Sequence, residues 1–331
     1  MRLRTKLSMI GVVVAAWAGL PARAVAQAPA SVSATVRPTQ DITAQSPGLK
    51  HALGPADVIM PHITDSKTVE YPCFDEEWAC EWHLPTWPVS IGNTTIDLGP
   101  TKHVIFMLLA AVLCFLTLWG AARAHARATR EFGHPKGFAA GIESMVLLLR
   151  GMFKDAIGEH GDAYVPFVLT LFFFILFMNL MGLLPYGSTP TGNLAVNATL
   201  AACAFIATET AGMIALGPVG YMKTIVYWPS DLSVAIKLPM TFIMTPVEII
   251  SKFTKPFALT VRLFANMIAG HVIVLAMIGL ILLFGSWLIA IPPLLMAFGI
   301  MLLEVLVSFI QAFIFALLTA VFIGQIRAAH H

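Results

Sequence analysis

The sequence predicts an all-α membrane protein: an N-terminal signal peptide, an extracytoplasmic segment, then about five membrane helices. The last two of these are long, tilted and paired as an antiparallel hairpin. Three observations predict it. Of 331 residues 58% are hydrophobic and only 11% charged, and the mean hydropathy is +0.81, values that describe a polytopic chain and not a soluble domain. The apolar residues gather into long runs at about 103–122, 164–185, 195–216, 240–284 and 288–326. The basic residues cluster between the first two of those runs, and no basic surface of the kind a nucleic-acid binder needs accompanies the net charge of +2.

At the N-terminus, Met1-Arg-Leu-Arg-Thr-Lys6 precedes an apolar run from Leu7 to Leu20 and then Ala22-Arg-Ala-Val-Ala26. Basic, apolar and small residues in that order form a secretory signal peptide over residues 1–26, cleaved after Ala26. The alternative is an uncleaved first helix, against which stands an apolar core shorter than the ~20 residues of a span. Residues 27–102 are rich in Pro, Ser, Thr and Ala, with nine acidic residues against four basic ones, and are expected to be extracytoplasmic and mostly irregular. Within them Cys73 and Cys80 stand seven apart in an oxidising compartment, which makes them a candidate disulfide, with two free thiols as the alternative. His62 and His83 lack a ligand spacing, so no metal is expected. Cys114 and Cys203 sit alone in apolar runs as packing residues.

The residues 103–331 form the transmembrane domain. The segment after its first span carries Arg123, Arg127, Arg130, Lys136, Arg150 and Lys154, whereas the loops at 186–193 and 285–286 carry no charge. By the positive-inside rule the N-terminus lies outside and the C-terminus in the cytoplasm. Gly141 to Lys154 is apolar on one face, the pattern of a helix lying on the cytoplasmic membrane surface or of a solvated connector. Asn179 closes the second span, as helix glue or as a proton-path group, and Asn193, Asn197 and Glu209 make the third unusually polar for lipid.

The last two spans carry the chemistry. Arg262 is the only full charge between Phe257 and Phe284, and a cation near a bilayer centre costs roughly 2.5–3.5 kcal/mol on insertion scales, so it needs a working partner. Asn266 lies one turn on, on the same face, and Ala265, Ala269 and Gly270 let another helix approach. In an antiparallel hairpin, residues at equal height have position numbers of constant sum. With the turn near Gly285, Ser286 and Trp287, Arg262 is matched to Gln311 and His271 to Glu304. Glu304, Ser308 and Gln311 form one polar stripe, whereas His271 lies about half a turn round from Arg262 at ~3.6 residues per turn. Glu248 precedes Arg262 by nearly four turns on almost the same face, either as a proton relay or neutralised by Lys252 at i+4. For His271 and Glu304 a plain buried ion pair stands against a proton-handling pair. No Walker glycines, GxSxG or HExxH occur.

The run Arg262-Leu-Phe-Ala-Asn-Met-Ile-Ala-Gly-His271 resembles the signature of subunit a of rotary F-type ATP synthases. The resemblance extends through Glu304, Ser308 and Gln311 to the C-terminus and back to Asn179-Leu-Met-Gly-Leu-Leu-Pro185. It implies a non-catalytic, proton-translocating stator subunit in a bacterial inner membrane, without cofactor. Its partners would be a ring of c subunits, b-type stator subunits, the soluble ATPase sector and the lipid bilayer. Arg262 would hold the passing ring carboxylate deprotonated and block leakage between two half-channels, the outer lined by Asn266, His271, Glu304 and Gln311 and the inner by Glu248. His271 and Glu304 stand exchanged between the helices relative to many bacterial members. The alternative from another class, a self-contained secondary transporter or ion channel, would show two similar halves with matched broken helices, and no such repeat is present.

The basic, apolar, small order at the N-terminus predicts a mature chain that begins near Gln27. Intact-mass spectrometry of the purified subunit checks this, and a chain that retains Met1 refutes it.

Overall fold

The structure, a computed structural model, describes residues 65–72, 79–91, 94–97, 99–131, 137–158, 161–184, 187–226, 234–284 and 287–328. The expected signal peptide at 1–26 lies outside them, as does Cys73 of the candidate disulfide.

The part of the extracytoplasmic segment that is described is more regular than its composition suggests. Strand β1 (Thr68–Pro72) pairs antiparallel with β2 (Ala79–His83), and β3 (Pro88–Ile91) with β4 (Thr94–Asp97). These strands hold Thr, Val, Ile, Tyr and Trp, residues that suit a pleated surface, but each is too short for alternation to stand out among the flanking prolines. Asp65 and Ser66 tie this region to the membrane domain. The Lys102 N–H donates to the Ser66 carbonyl at 2.9 Å and the His103 N–H to Asp65 Oδ1 at 3.3 Å.

Six helices follow: α1 (Lys102–Glu131), α2 (Phe138–Ile157), α3 (Val165–Met181), α4 (Leu194–Ile225), α5 (Val234–Phe284) and α6 (Trp287–Ala328). Among the described residues five of them, all but α2, are long and apolar enough to cross a membrane. Each coincides with one of the five apolar runs. At ~1.5 Å per residue the 51 residues of α5 measure roughly 75 Å against a hydrocarbon thickness of ~30 Å, so α5 tilts or extends beyond the lipid.

The core forms where α3 meets α6. Helix α3 is apolar all round, the pattern of a helix enclosed by others, and Val168, Phe172, Ile175 and Met178 have no exposed surface. Opposite it, Ala312, Ala316, Ala320 and Gly324 recur every fourth residue on α6, a stripe of small side chains that lets neighbouring backbones approach. The approach is closest at Gly324, where an added Cβ would stand 2.4 Å from the Ala156 carbonyl oxygen of α2. Helix α4 is bent. Gly217 has φ 70° and ψ 166°, a region that only glycine enters without strain, and Pro218 beside it brings no backbone N–H.

Gly324→Ala is therefore expected to lower stability by about 1–3 kcal/mol, since the colliding atom is helix backbone and cannot turn aside. The thermal unfolding midpoint of the detergent-solubilised subunit reads this, and an unchanged midpoint would contradict the α2–α6 packing.

Candidate functional site

The hairpin brings His271 of α5 to Glu304 of α6, with Nδ1 and Oε1 2.6 Å apart. The imidazole is 19% exposed and the carboxyl 7%. The other ring nitrogen, Nε2, hydrogen-bonds the Thr189 hydroxyl, which comes from the connection between α3 and α4. Thr189, His271 and Glu304 thus form one hydrogen-bonded row in which a hydroxyl and an imidazole can each give and take a proton. Two glycines make the row possible. A Cβ at Gly270 would lie 2.8 Å from Glu304 Oε1, and one at Gly182 would overlap Thr189 and lie 2.6 Å from His271 Nε2. Gly270 thus lets another helix, α6, approach closely through its Glu304 side chain. Thr189 was not singled out in the sequence; its signal is an uncharged Ser-Thr-Pro-Thr-Gly run facing a helix that carries a histidine.

A second polar layer fixes the same connection. Asn179 Nδ2 donates to the Ser308 carbonyl at 3.3 Å and its Oδ1 accepts from the Thr191 hydroxyl at 2.7 Å, while Asn197 Nδ2 donates to the Thr191 carbonyl at 2.6 Å. Asn179 is thus a fully buried bridge between α3, α6 and the connection, which is the helix-glue geometry. The Asn193 side chain caps α4 by accepting from the Ala195 N–H at 2.9 Å and also donates toward Asp65 Oδ2 and His103 Nδ1, each at 3.4 Å. Burial pushes the Asp65 carboxyl up, but the hydrogen bonds and charge of His103, helped by Thr101, outweigh it and hold the carboxyl below its ordinary 3.8. The tie is complete above the ordinary carboxylate range and is lost as the pH falls below it.

Arg262 sits differently. It is exposed, and no hydrogen bond or ion pair joins it to any described residue. Ala258, Ala265 and Ala269, equally exposed, share its helix face, so the guanidinium stands in a strip of small side chains. Leu259, Leu263 and Met267 on the neighbouring face are buried. Asn266 is half-buried and Gln311 buried, and Gln311 makes no hydrogen bond with Arg262. The constant-sum register is met at His271, which touches Glu304. Further along the pair, Lys255 Nζ lies 3.4 Å from Gln325 Oε1 and 4.8 Å from the centre of the Phe322 ring.

From Arg262 a cavity of about 250 Å³ runs along α5 past Lys255 to Ser251. It shares Lys255, Leu259 and Phe322 with a second cavity of about 40 Å³, which holds Glu248, Glu209 and Lys252 and has room for water. Glu248 is half-buried and forms no hydrogen bond or ion pair with any described residue. The neutralisation by Lys252 that its i+4 spacing offers is not made: Lys252 Nζ turns to Glu209 Oε2 on α4 at 3.2 Å. Among the described residues no group of three or more His, Cys, Asp or Glu is arranged to hold a metal.

Residues 104–324 match the family model described as ATP synthase A chain. The chain belongs to that family. Relatives named ATP synthase subunit a include one from Anaeromyxobacter dehalogenans, 40% identical over 83% of this chain and 71% of its own length. Another, from Myxococcus xanthus, is 44% identical over 71% of this chain and 76% of its own length, and one from Chloroherpeton thalassium is 42% identical over 73% and 70%. The span matched to the ATP synthase A chain family contains Glu248, Arg262, His271, Glu304 and Thr189, whereas Asp65 and His103 precede it.

Because His271 and Glu304 touch, paired cysteines at these positions should crosslink with a short reagent, whereas His271→Cys with Gln311→Cys should not. Gln311 lies ~10 Å further along the axis by the helical rise. His271→Glu and Glu304→His are each expected to lower proton flux and the double exchange to recover part of it, a coupling read in a double-mutant cycle. Additive losses would show that the two groups act apart.

Proposed function

We propose that this chain is the static proton-channel subunit of a bacterial rotary ATP synthase, and that Arg262 faces a rotating ring of small subunits, each with one membrane carboxylate. One observation carries the reading: a guanidinium exposed in an apolar helix face, unpartnered and flanked by alanines. The α5 surface around it is not a packed interior. Val261, Ala265 and Ala269 beside it are exposed, and only the adjoining face, with Leu259, Leu263 and Met267, is buried. A carboxylate carried past on a neighbouring helix would meet the guanidinium across the alanine strip, lose its proton there, and be unable to pass while protonated.

The outer half-channel of this reading ends at Thr189, His271 and Glu304, with Asn266 and Gln311 between that row and the arginine. The inner half-channel is the pair of cavities from Arg262 to Glu248. Their offset is what couples flow to rotation: a charge crossing the membrane is worth about 2.3 kcal/mol per 100 mV, and a direct path would dissipate it. The chain works in ATP synthesis and proton transport as a multi-pass membrane component and is itself no catalyst. We assign it to the inner membrane with its N-terminus outside and C-terminus inside. The ring, b-type stator subunits and the soluble ATPase sector are its partners, and all should copurify with it in mild detergent.

Arg262→Ala is expected to abolish ATP-driven proton pumping and ATP synthesis in an assembled complex. Arg262→Lys should fail as well, since a lysine ammonium is a compact, strongly hydrated charge without the planar fork. Coupled pumping by the assembled Arg262→Ala complex would overturn the proposal.

A further inference from the structure

On α5, Glu248 and Lys252 stand at i and i+4 with the acid first, the order that favours an ion pair along one helix. Lys252 is nevertheless held elsewhere. Its Nζ lies 3.2 Å from Glu209 Oε2 and 3.2 Å from the Tyr221 hydroxyl, both on α4, and 4.5 Å from the centre of the Tyr221 ring. The Lys252 and Glu209 side chains are 11% and 13% exposed, so the pair is shielded from water that would loosen it. The other cation facing the cavity, Lys255, is likewise drawn to α6, 3.4 Å from Gln325 Oε1 and 4.8 Å from the centre of the Phe322 ring. The α6 residues lining the cavity, Thr319, Phe322 and Ile326, include no titratable group. Both lysines are thus engaged by other helices, and among the described residues no cation pairs with Glu248 at the cavity.

The bend in α4 makes this arrangement possible. In a straight helix the twelve residues from Glu209 to Tyr221 would separate them by ~18 Å along the axis, too far for both to reach one ammonium. Gly217 and Pro218 lie between them and fold Tyr221 back onto Lys252.

We propose that Glu209 and Tyr221 form a latch that holds Lys252 away from Glu248, so that Glu248 remains a free carboxylate able to exchange protons with the inner cavity. The inference rests on the reading of Glu248 as the inner relay. An ammonium within ~4–6 Å stabilises a carboxylate in its charged form, and a Glu248 captured by Lys252 would accept protons from the ring poorly. Glu209 and Tyr221 are positioning residues that act on Glu248 through Lys252.

The test uses the whole complex in sealed vesicles, with passive proton conductance and ATP-driven pumping measured across a range of pH. Glu209→Gln is expected to shift the midpoint of the conductance profile toward acid by about one unit, with a loss of up to about tenfold at neutral pH. Adding Lys252→Gln to Glu209→Gln should restore both rate and midpoint, because no freed cation then remains to capture Glu248. A merely structural ion pair gives no such rescue: a double variant as impaired as the single one, or a Glu209→Gln profile identical to the parent's, overturns the latch. Should Glu209→Gln not assemble, Tyr221→Phe removes one hydroxyl and keeps the ring. It is expected to shift the midpoint the same way by less, again reversed by Lys252→Gln, and an unmoved midpoint overturns the proposal. Glu248→Gln separates the two levels. Parental conductance in that variant removes the relay reading and the latch with it, whereas lost conductance without the rescue removes the latch alone.

Discussion

A guanidinium in an apolar membrane helix costs about 2.5–3.5 kcal/mol on insertion scales, and nothing among the described residues offsets that cost at Arg262. The polar groups within hydrogen-bonding range of one another are spent elsewhere: His271 on Glu304 and Thr189, Asn179 on Ser308 and Thr191, and Lys252 on Glu209. Under the proposed function, a carboxylate of this chain turned toward Arg262 would occupy the charge the passing ring needs. Stability here comes instead from helix packing, in which α3 is enclosed by its neighbours and α6 presents a small-residue stripe.

Close packing and polar chemistry depend on each other in this domain. Gly182 and Gly270 lack the Cβ atoms that would push Thr189, His271 and Glu304 apart, so the outer row exists only because two backbones pass within contact of those side chains. Gly217 does the corresponding work on the inner side by breaking the direction of α4. Buried polar groups are costly unless paired, and a membrane offers no water to correct a misplacement of one ångström. The glycines therefore decide which polar side chains can meet, although none of them supplies a polar side chain itself.

The five spans were legible in the sequence because apolar runs of that length have no other use, and the hairpin was legible because two polar residues on one helix matched two on the next in height. The contact of His271 with Glu304 followed from counting residues. What counting missed has physical reasons. The Arg262–Gln311 match gave equal height and no more, and the two side chains form no hydrogen bond with each other. Helix spacing offered Lys252 to Glu248 as one of two readings, yet a residue on another helix holds it, because local i, i+4 pairs are worth only a few tenths of a kcal/mol and tertiary partners outweigh them. Thr189 escaped notice because a hydroxyl in a loop carries no charge or periodicity. The short β ladders lay in a segment whose prolines masked their alternation.

Under the proposed function the inner and outer sites differ in kind, and the difference bears on how protons would move between them. The outer row is closed by direct hydrogen bonds, so a proton can be passed along it without free space, whereas the inner side is a pair of cavities that admit water and reach Arg262. Nine residues separate Arg262 from His271, roughly 13 Å along the axis and about half a turn round it. Leu263 and Met267 are buried between those two heights. No hydrogen bond crosses that gap on this chain, since Arg262 has no partner among the described residues and Asn266 and Gln311 make none with it. Under the proposed function, a proton leaving Glu304 for the inner cavities would need a carrier that is not fixed to α5 or α6, one that takes it beside the outer row and surrenders it beside the arginine on the exposed alanine face.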